Sequence, residues 1–359
     1  MKRMKTKMAC ALVAGGLLAT GAAAVPLDAR VRADFPDAQR AWAHYAVPAM
    51  SNVQRLPDAY PADGTPGGTN RIILAKGEYE PASILFYAFD DLGKVQLTVG
   101  ELKSEAGAVF PAQDLDLKLV KCWYQNGNAW FSYFGDTGNK LVPELLLNDE
   151  DLIRVDVREQ ANYARLVEAD GTVREKWLNA PPKTEGRYDT EGCETFRPMM
   201  PNFRDAPSLR PVRFAKGEFR NFFLTAKATA ATPAGVYRGA VRLTDATGAA
   251  LGEVPVEVRV LDFELPAPKA YREPARDFLV ASYSYIYLGE FLRLNGGDLD
   301  LAKRQYRAVL ENQVAHNQTM HWLRGDCDEE VDFVIRLMKE VGMRTDVFIG
   351  GVEPGGGYW

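Results

Sequence analysis

Val254-Pro255-Val256-Glu257-Val258-Arg259-Val260 decides the fold of the larger part of this chain. Valines hold every second position, with Pro255, Glu257 and Arg259 between them, so one face is apolar and β-branched and the other is not. A period of two predicts a half-buried strand rather than a helix. Upstream, Tyr237, Val241 and Leu243 lead into Asp245-Ala246-Thr247-Gly248, whose Asp and Gly suit a tight connection. The two runs predict a hairpin whose apolar face needs a second sheet to cover it. Pro255 has no N–H to give to a ladder, which predicts an edge strand or a bulge at that point.

The same pattern extends outward from the hairpin. Arg71–Ala75 and Ala82–Phe89 are short apolar runs divided by the polar turn Lys76-Gly77-Glu78. Leu97-Thr98-Val99 alternates, and Leu115, Leu117 and Leu119 alternate with Asp116 and Lys118. Residues 25–268 are therefore expected to form an antiparallel β-sandwich region. Between Asn179 and Pro211 the pattern lapses into a proline-rich excursion across the surface, and Leu265-Pro266-Ala267-Pro268 marks a stiff boundary.

Beyond that boundary the period changes to about 3.6. Ala302, Tyr306, Val309, Leu310 and Gln313 share one helical face after Gly296-Gly297. Asp326 stands three residues before Glu329, the capping-box spacing, ahead of Val331, Val334, Ile335 and Met338, and Gly342 is placed to end that helix. Apolar segments at Phe278–Ala281, Thr319–Leu323 and Val347–Ile349 alternate with these helices. That order predicts the first three βα units of a TIM-type barrel over 269–359. The expected fold class is thus multi-domain: an antiparallel β-sandwich followed by an incomplete (β/α)8 barrel, since a closed one typically takes about 250 residues.

Residues 1–24 read as a secretory leader. Lys2, Arg3, Lys5 and Lys7 precede an uncharged apolar stretch from Ala9 to Gly21, and Ala22-Ala23-Ala24 supplies the small residues of a cleavage site. The apolar run is shorter than the about 20 residues of a spanning helix, so no membrane association is expected after cleavage, and the protein is expected to be secreted or periplasmic. Losing four positive charges and no negative ones moves the formal charge from −5 to −9, which does not suit a nucleic acid partner. Cys122, Cys193 and Cys327 remain, an odd number; a Cys122–Cys193 bridge and buried free thiols both stay open.

Several stretches carry a family resemblance. Gly77-Glu78-Tyr79-Glu80-Pro81-Ala82-Ser83 comes first, then Trp123-Tyr124-Gln125, Ala129-Trp130, Ser132-Tyr133-Phe134-Gly135-Asp136 and Leu141-Val142-Pro143-Glu144-Leu145-Leu146. Pro233-Ala234-Gly235-Val236-Tyr237-Arg238-Gly239 and Val260-Leu261-Asp262-Phe263-Glu264-Leu265-Pro266 follow. In order and spacing, over nearly all of Val47 to Pro268, the chain resembles proteins of glycoside hydrolase family 123. The resemblance implies a secreted bacterial glycosidase with an N-terminal β-sandwich and a C-terminal (β/α)8 barrel. Such enzymes remove β-linked N-acetylgalactosamine by substrate-assisted catalysis. The acetamido oxygen attacks the anomeric carbon, an aspartate orients it, and a neighbouring glutamate is the general acid. That pair follows a middle barrel strand, so the resemblance assigns no catalytic residue here. The expectation is an exported glycoside hydrolase-like protein lacking the catalytic pair in this chain, with a non-catalytic carbohydrate-binding or structural sandwich as the alternative.

Candidate sites follow from residue chemistry. Asp328-Glu329 is an adjacent acidic pair, but its place at a helix start reads as capping. Trp123, Tyr124, Trp130, Phe131, Tyr133 and Phe134, interleaved with Gln125, Asn126 and Asn128, suit a sugar, although packing explains aromatic clusters more often. Tyr283, Tyr285, His321, Trp322, Arg324 and Glu353 lie at or just past the C-terminal ends of the expected barrel strands, where barrels bind substrate. These six are the expected carbohydrate-binding residues. No metal-ligand spacing and no phosphate-binding glycine loop occurs, so no metal and no cofactor is expected.

Overall fold

The computed structural model describes residues 25–36, 39–125, 138–167, 171–178, 205–266, 280, 287–323 and 328–346. Helix α1 (Leu27–Asp34) precedes β1 (Trp42–Val47), β2 (Thr65–Pro66), β3 (Asn70–Lys76), β4 (Tyr79–Ala88) and β5 (Gly93–Val99). Next come β6 (Lys103–Ser104), β7 (Leu115–Gln125), β8 (Lys140–Leu147), β9 (Ile153–Asp156), β10 (Ala161–Val167) and β11 (Val173–Trp177). Then follow β12 (Val212–Phe214), β13 (Phe219–Lys227), β14 (Gly235–Thr244) and β15 (Ala250–Glu264). Helices α2 (Leu288–Leu294), α3 (Leu299–Ala315) and α4 (Asp328–Glu340) complete the described elements.

Two sheets share one core. The first runs β2-β1-β4-β13-β7-β8; the second runs β12-β5-β14-β15-β3, with β6 on β14. Ile84, Phe86, Leu119, Phe222 and Leu224 of the first sheet bury against Ile72, Leu97, Val241, Val256 and Val258 of the second. The hairpin forms as its alternation predicts: β14 and β15 pair antiparallel, and the Asp245 carboxylate accepts the N–H groups of Thr247 and Ala249 in the turn.

β15 is not an edge, however. It lies between β14 and β3 and pairs with β3 in parallel, so the sandwich is not purely antiparallel. The parallel ladder opens at Val256 opposite Asn70, one residue past Pro255, so β3 never asks for the missing N–H.

The stretches that carry the family resemblance occupy scaffold positions. Gly77 turns β3 into β4 at φ 87°, and the Glu78 carboxylate accepts the Ala75 N–H across the turn. The Tyr237 hydroxyl donates to the Pro233 carbonyl at 2.7 Å, bracing the start of β14. A Cβ on Gly239 would stand 2.6 Å from the Glu101 carbonyl oxygen, so only glycine lets those backbones approach.

The outer side of the first sheet has two coverings. Val31 of α1 joins Tyr45, Leu85, Tyr87 and Phe219 in a second core. Asp34 accepts hydrogen bonds from the hydroxyls of Tyr45 (2.7 Å) and Tyr60 (2.6 Å), which ties α1 down. Farther along, a third sheet in the order β11-β10-β9 packs Ile153 and Ala164 on Leu147. The buried Asn162 side chain accepts the Tyr124 N–H and donates to the Tyr124 carbonyl, as a neighbouring strand would.

The expected incomplete (β/α)8 barrel is overturned. Beyond Glu264 the described residues form three helices and no strand, and the described part of the chain is dominated by β-sheet. Helices α3 and α4 do follow the sequence periodicity: Ala302, Tyr306, Leu310 and Gln313 of α3 and Val334 and Met338 of α4 are buried. Gly342 and Met343 donate to the carbonyls of Lys339 and Met338, closing α4 in a Schellman motif.

Thr319–Leu323 is not a barrel strand. Thr319, Met320, His321 and Leu323 are buried, and Met320 and Leu323 join the core of α2, α3 and α4. Thr319 donates its N–H and hydroxyl to the Val280 carbonyl, its hydroxyl accepts the Val280 N–H, and its carbonyl accepts the Arg344 N–H, but no strand is formed among the described residues. Burial on both sides gives an apolar run in which Trp322 is a lone bridge residue rather than part of a strand among the described residues. The other two expected strands, Val280 apart, lie outside the described residues, as does the leader at 1–24.

Candidate functional site

A cavity of about 590 Å3 opens between the first sheet and the third. Val120, Lys121 and Cys122 of β7 and Phe219, Arg220 and Asn221 of β13 line one side. Arg154, Arg165 and Glu175 of the third sheet line the other, and Arg55 joins from the β1–β2 connection.

Strand alternation explains which face carries the charged lining residues, while Ile153 and Val155 of the other face also reach the cavity. In Ile153-Arg154-Val155-Asp156, Ile153 and Val155 pack inward, which turns Arg154 and Asp156 to the opposite face. The register sets Tyr163 opposite both Arg154 and Trp177, and Arg165 opposite Glu175, so all five residues share that face. Trp177 is 38% exposed, and the Arg154 guanidinium lies 4.0 Å from the centre of the Tyr163 ring. An aromatic pair flanked by guanidinium forks and a carboxylate is amphipathic in the manner of a sugar face.

Most charges in the cleft are already paired. Arg55, only 6% exposed, holds both oxygens of Asp63 and keeps its carboxyl down at about 2. Arg154 takes both oxygens of Glu175 at 2.7 and 2.8 Å, holding that carboxyl below the usual range. Lys121 donates to the Glu150 backbone carbonyl at 2.5 Å, and burial lowers its ammonium. The Cys122 thiol is free, contacts the Arg55 carbonyl at 3.6 Å and is pushed up to about 12 by burial. It stays protonated at neutral pH and is no nucleophile. A smaller recess of about 250 Å3 shares Arg55, Val120 and Asn221 with the main cleft. Glu144 lines that recess and accepts from the Trp123 indole and the Gln125 amide.

Of the six site residues expected from sequence, His321 and Trp322 are among the described residues. Tyr283, Tyr285, Arg324 and Glu353 lie outside the described residues. His321 is 1% exposed inside the helical segment, Nδ1 against Gln313 Oε1 at 2.9 Å and Nε2 against the Tyr306 hydroxyl at 2.8 Å; Trp322 is half-buried beside it. An amide oxygen only accepts, so Nδ1 carries the proton and Nε2 accepts from Tyr306. Among the described residues both ring nitrogens of His321 have side-chain partners.

Replacing His321 with leucine is expected to cost about 2 kcal/mol, by stranding the Tyr306 hydroxyl and the Gln313 amide. Thermal unfolding measures this, and saccharide titration is expected to show no change. A binding loss at full stability would make His321 a ligand contact after all. Of the aromatic cluster, Trp123 and Tyr124 are described, and Tyr124 is buried; the others lie outside the described residues. Among the described residues no helix is long and apolar enough to cross a membrane.

No family model matches the chain, and no curated protein matches it. Among solved structures, a family 123 glycoside hydrolase from Clostridium perfringens aligns with 77% of this chain at 10% identity and a TM-score of 0.46. The chain spans 41% of that enzyme. The CooA pilin subunit of enterotoxigenic Escherichia coli aligns with 57% of this chain over 95% of its own length, at 11% identity and a TM-score of 0.23. These are distant likenesses, too low to carry function across.

Proposed function

We propose that this is an exported protein of glycoside hydrolase type and that the cleft between its first and third sheets binds a saccharide containing β-linked N-acetylgalactosamine. One observation carries the reading: Arg154, Arg165 and Glu175, which line the cleft, stand on a sheet face where Tyr163 and Trp177 sit side by side just outside that lining. Sugars offer C–H patches to aromatic faces and hydroxyls to charged forks, and this face offers both. The sugar class is supported by the ordered motifs from Gly77 to Pro266, and export by the Lys2–Ala24 leader pattern.

The cleft is a binding surface rather than a hydrolytic one. A general acid must reach the leaving oxygen with a proton to give. Glu175 is instead fixed in its ionised form by Arg154, and Asp151 is paired with Lys94 at 2.7 Å. Titration calorimetry with a panel of N-acetylgalactosamine-containing oligosaccharides tests this. Binding is expected, and Trp177→Ala is expected to weaken it roughly tenfold, about what one lost aromatic stacking contact removes. Glu175→Gln should leave turnover of a chromogenic β-N-acetylgalactosaminide at the parent level. Absence of binding across the panel, or hydrolysis that depends on Glu175, would sink this reading.

A further inference from the structure

The cations of the cleft are not all balanced. Lys121 and Arg220 stand one step beyond the last paired residues of their ladder, Val120 and Asn221, which brings two like charges side by side on adjacent strands. Like charges so placed repel, and nothing in the sandwich core requires them. Among the described residues no carboxylate lies within ion-pair distance of Lys121. Its ammonium has three donors, and the Glu150 carbonyl occupies one. Arg220 gives its Nε to the Arg213 carbonyl and is 3.8 Å from Glu218. Across the cleft, Arg165 forms no ion pair among the described residues, and Glu175 opposite it has both oxygens taken by Arg154.

Of the four acids that line the cleft, Glu175 and Glu218 face Arg154 and Arg220, and the other two are committed elsewhere. Asp151 holds Lys94, and Glu150 turns an oxygen to the Arg213 backbone N–H. In a chain of net charge −5, an opening that faces under-neutralised cations from both sides runs against the overall field. We infer that the cleft takes an acidic saccharide, its anionic group seated among Lys121, Arg220 and Arg165. This rests on the reading of the cleft as a saccharide site and names its ligand class. Carboxylate and sulfate offer the same oxygens to guanidinium forks, so the chemistry is shared between uronates and sulfated sugars.

Calorimetry on the full chain separates the cases, using an unsulfated chondroitin tetrasaccharide, its carboxyl-reduced neutral form, the 4-O-sulfated tetrasaccharide and inorganic sulfate. The acidic tetrasaccharide is expected to bind at least about tenfold more tightly than the neutral one, with the gap narrowing as salt rises. The sulfated form ranks above or below it according to which anion the cleft prefers. Arg165→Gln, at an exposed strand position, is expected to bring the acidic-to-neutral affinity ratio close to one. Lys121→Met is expected to do the same, and Arg165→Gln alone decides if the lysine variant fails to fold. Equal binding of acidic and neutral forms overturns this inference and leaves the saccharide reading standing. No binding of either tetrasaccharide overturns both. Inorganic sulfate binding as tightly as the tetrasaccharide overturns the saccharide ligand in favour of a simple anion site.

Discussion

Phe86→Ala is expected to cost about 3–5 kcal/mol, the range for a large aromatic removed from a packed core. Phe86 is 0% exposed on β4, between β1 and β13 in the first sheet. Its ring meets Trp42 at 5.8 Å, Phe214 at 5.9 Å and Phe222 at 5.5 Å, the last two edge-on. Those partners are held by both sheets: Phe222 by the β13 ladders and Phe214 by β12 on β5. They cannot collapse into the space, so the cavity penalty adds to the lost transfer energy. Ile73→Ala on β3 is the matched control, because Ile73 is 55% exposed and its loss should stay within about 0.5 kcal/mol. Urea unfolding followed by aromatic fluorescence reads both. A Phe86→Ala midpoint close to that of Ile73→Ala would mean that the two sheets do not share the core described.

The sandwich was legible because its signal is local. Val254 to Val260 alternates within one strand, and Asp245-Ala246-Thr247-Gly248 announces the turn beside it. The parallel partner of that strand, β3, lies some 185 residues earlier, as the Asn70–Pro255 hydrogen bond records, and no local pattern states such a pairing. Helices α3 and α4 were equally readable, since a 3.6 period on one face has a single interpretation. Thr319–Leu323 was not, because a short apolar run reads alike as a barrel strand or as a connector sunk in a helical core.

The cleft escaped for a different reason. Its side chains come from β7, β8, β9, β10, β11, β13, the connection after β1 and the turns around β9 and before β13, and each contributes only one to three of them. A faint signal existed in Ile153-Arg154-Val155-Asp156 and in Tyr163 and Arg165 two apart, where charged and aromatic groups share an alternating face. Without the register, nothing says that Arg154, Tyr163 and Trp177 align across three strands.

Asp63→Asn is expected to cost about 2–3 kcal/mol at neutral pH, and the cause lies in its partner. The Arg55 guanidinium is 6% exposed, and Asp63 is its bidentate counter-ion. Removing that charge leaves a buried cation facing a neutral amide. Asp63 also accepts from the Ser51 hydroxyl at 2.8 Å, so the pair pins the connection between β1 and β2, which walls both cavities through Arg55.

The pH dependence follows from the direction of the shift. The Asp63 carboxyl is held at about 2 against an ordinary 3.8, chiefly by its hydrogen bonds to Arg55. Its contribution, about 2 kcal/mol, is fully present above the unfolded value near 4 and is lost as the pH falls through 2. Urea midpoints of parent and variant should therefore differ by a constant amount from pH 7 to pH 5 and converge between pH 4 and pH 2. Arg55→Met combined with Asp63→Asn should be less damaging than Asp63→Asn alone, since an apolar replacement leaves no unpaired buried charge. A gap that stays constant down to pH 2, or a double variant as unstable as the sum of the singles, would show that Asp63 acts through loop packing rather than charge. In either case the fixed Arg55 side chain, and with it the shape of the cleft, would need another anchor.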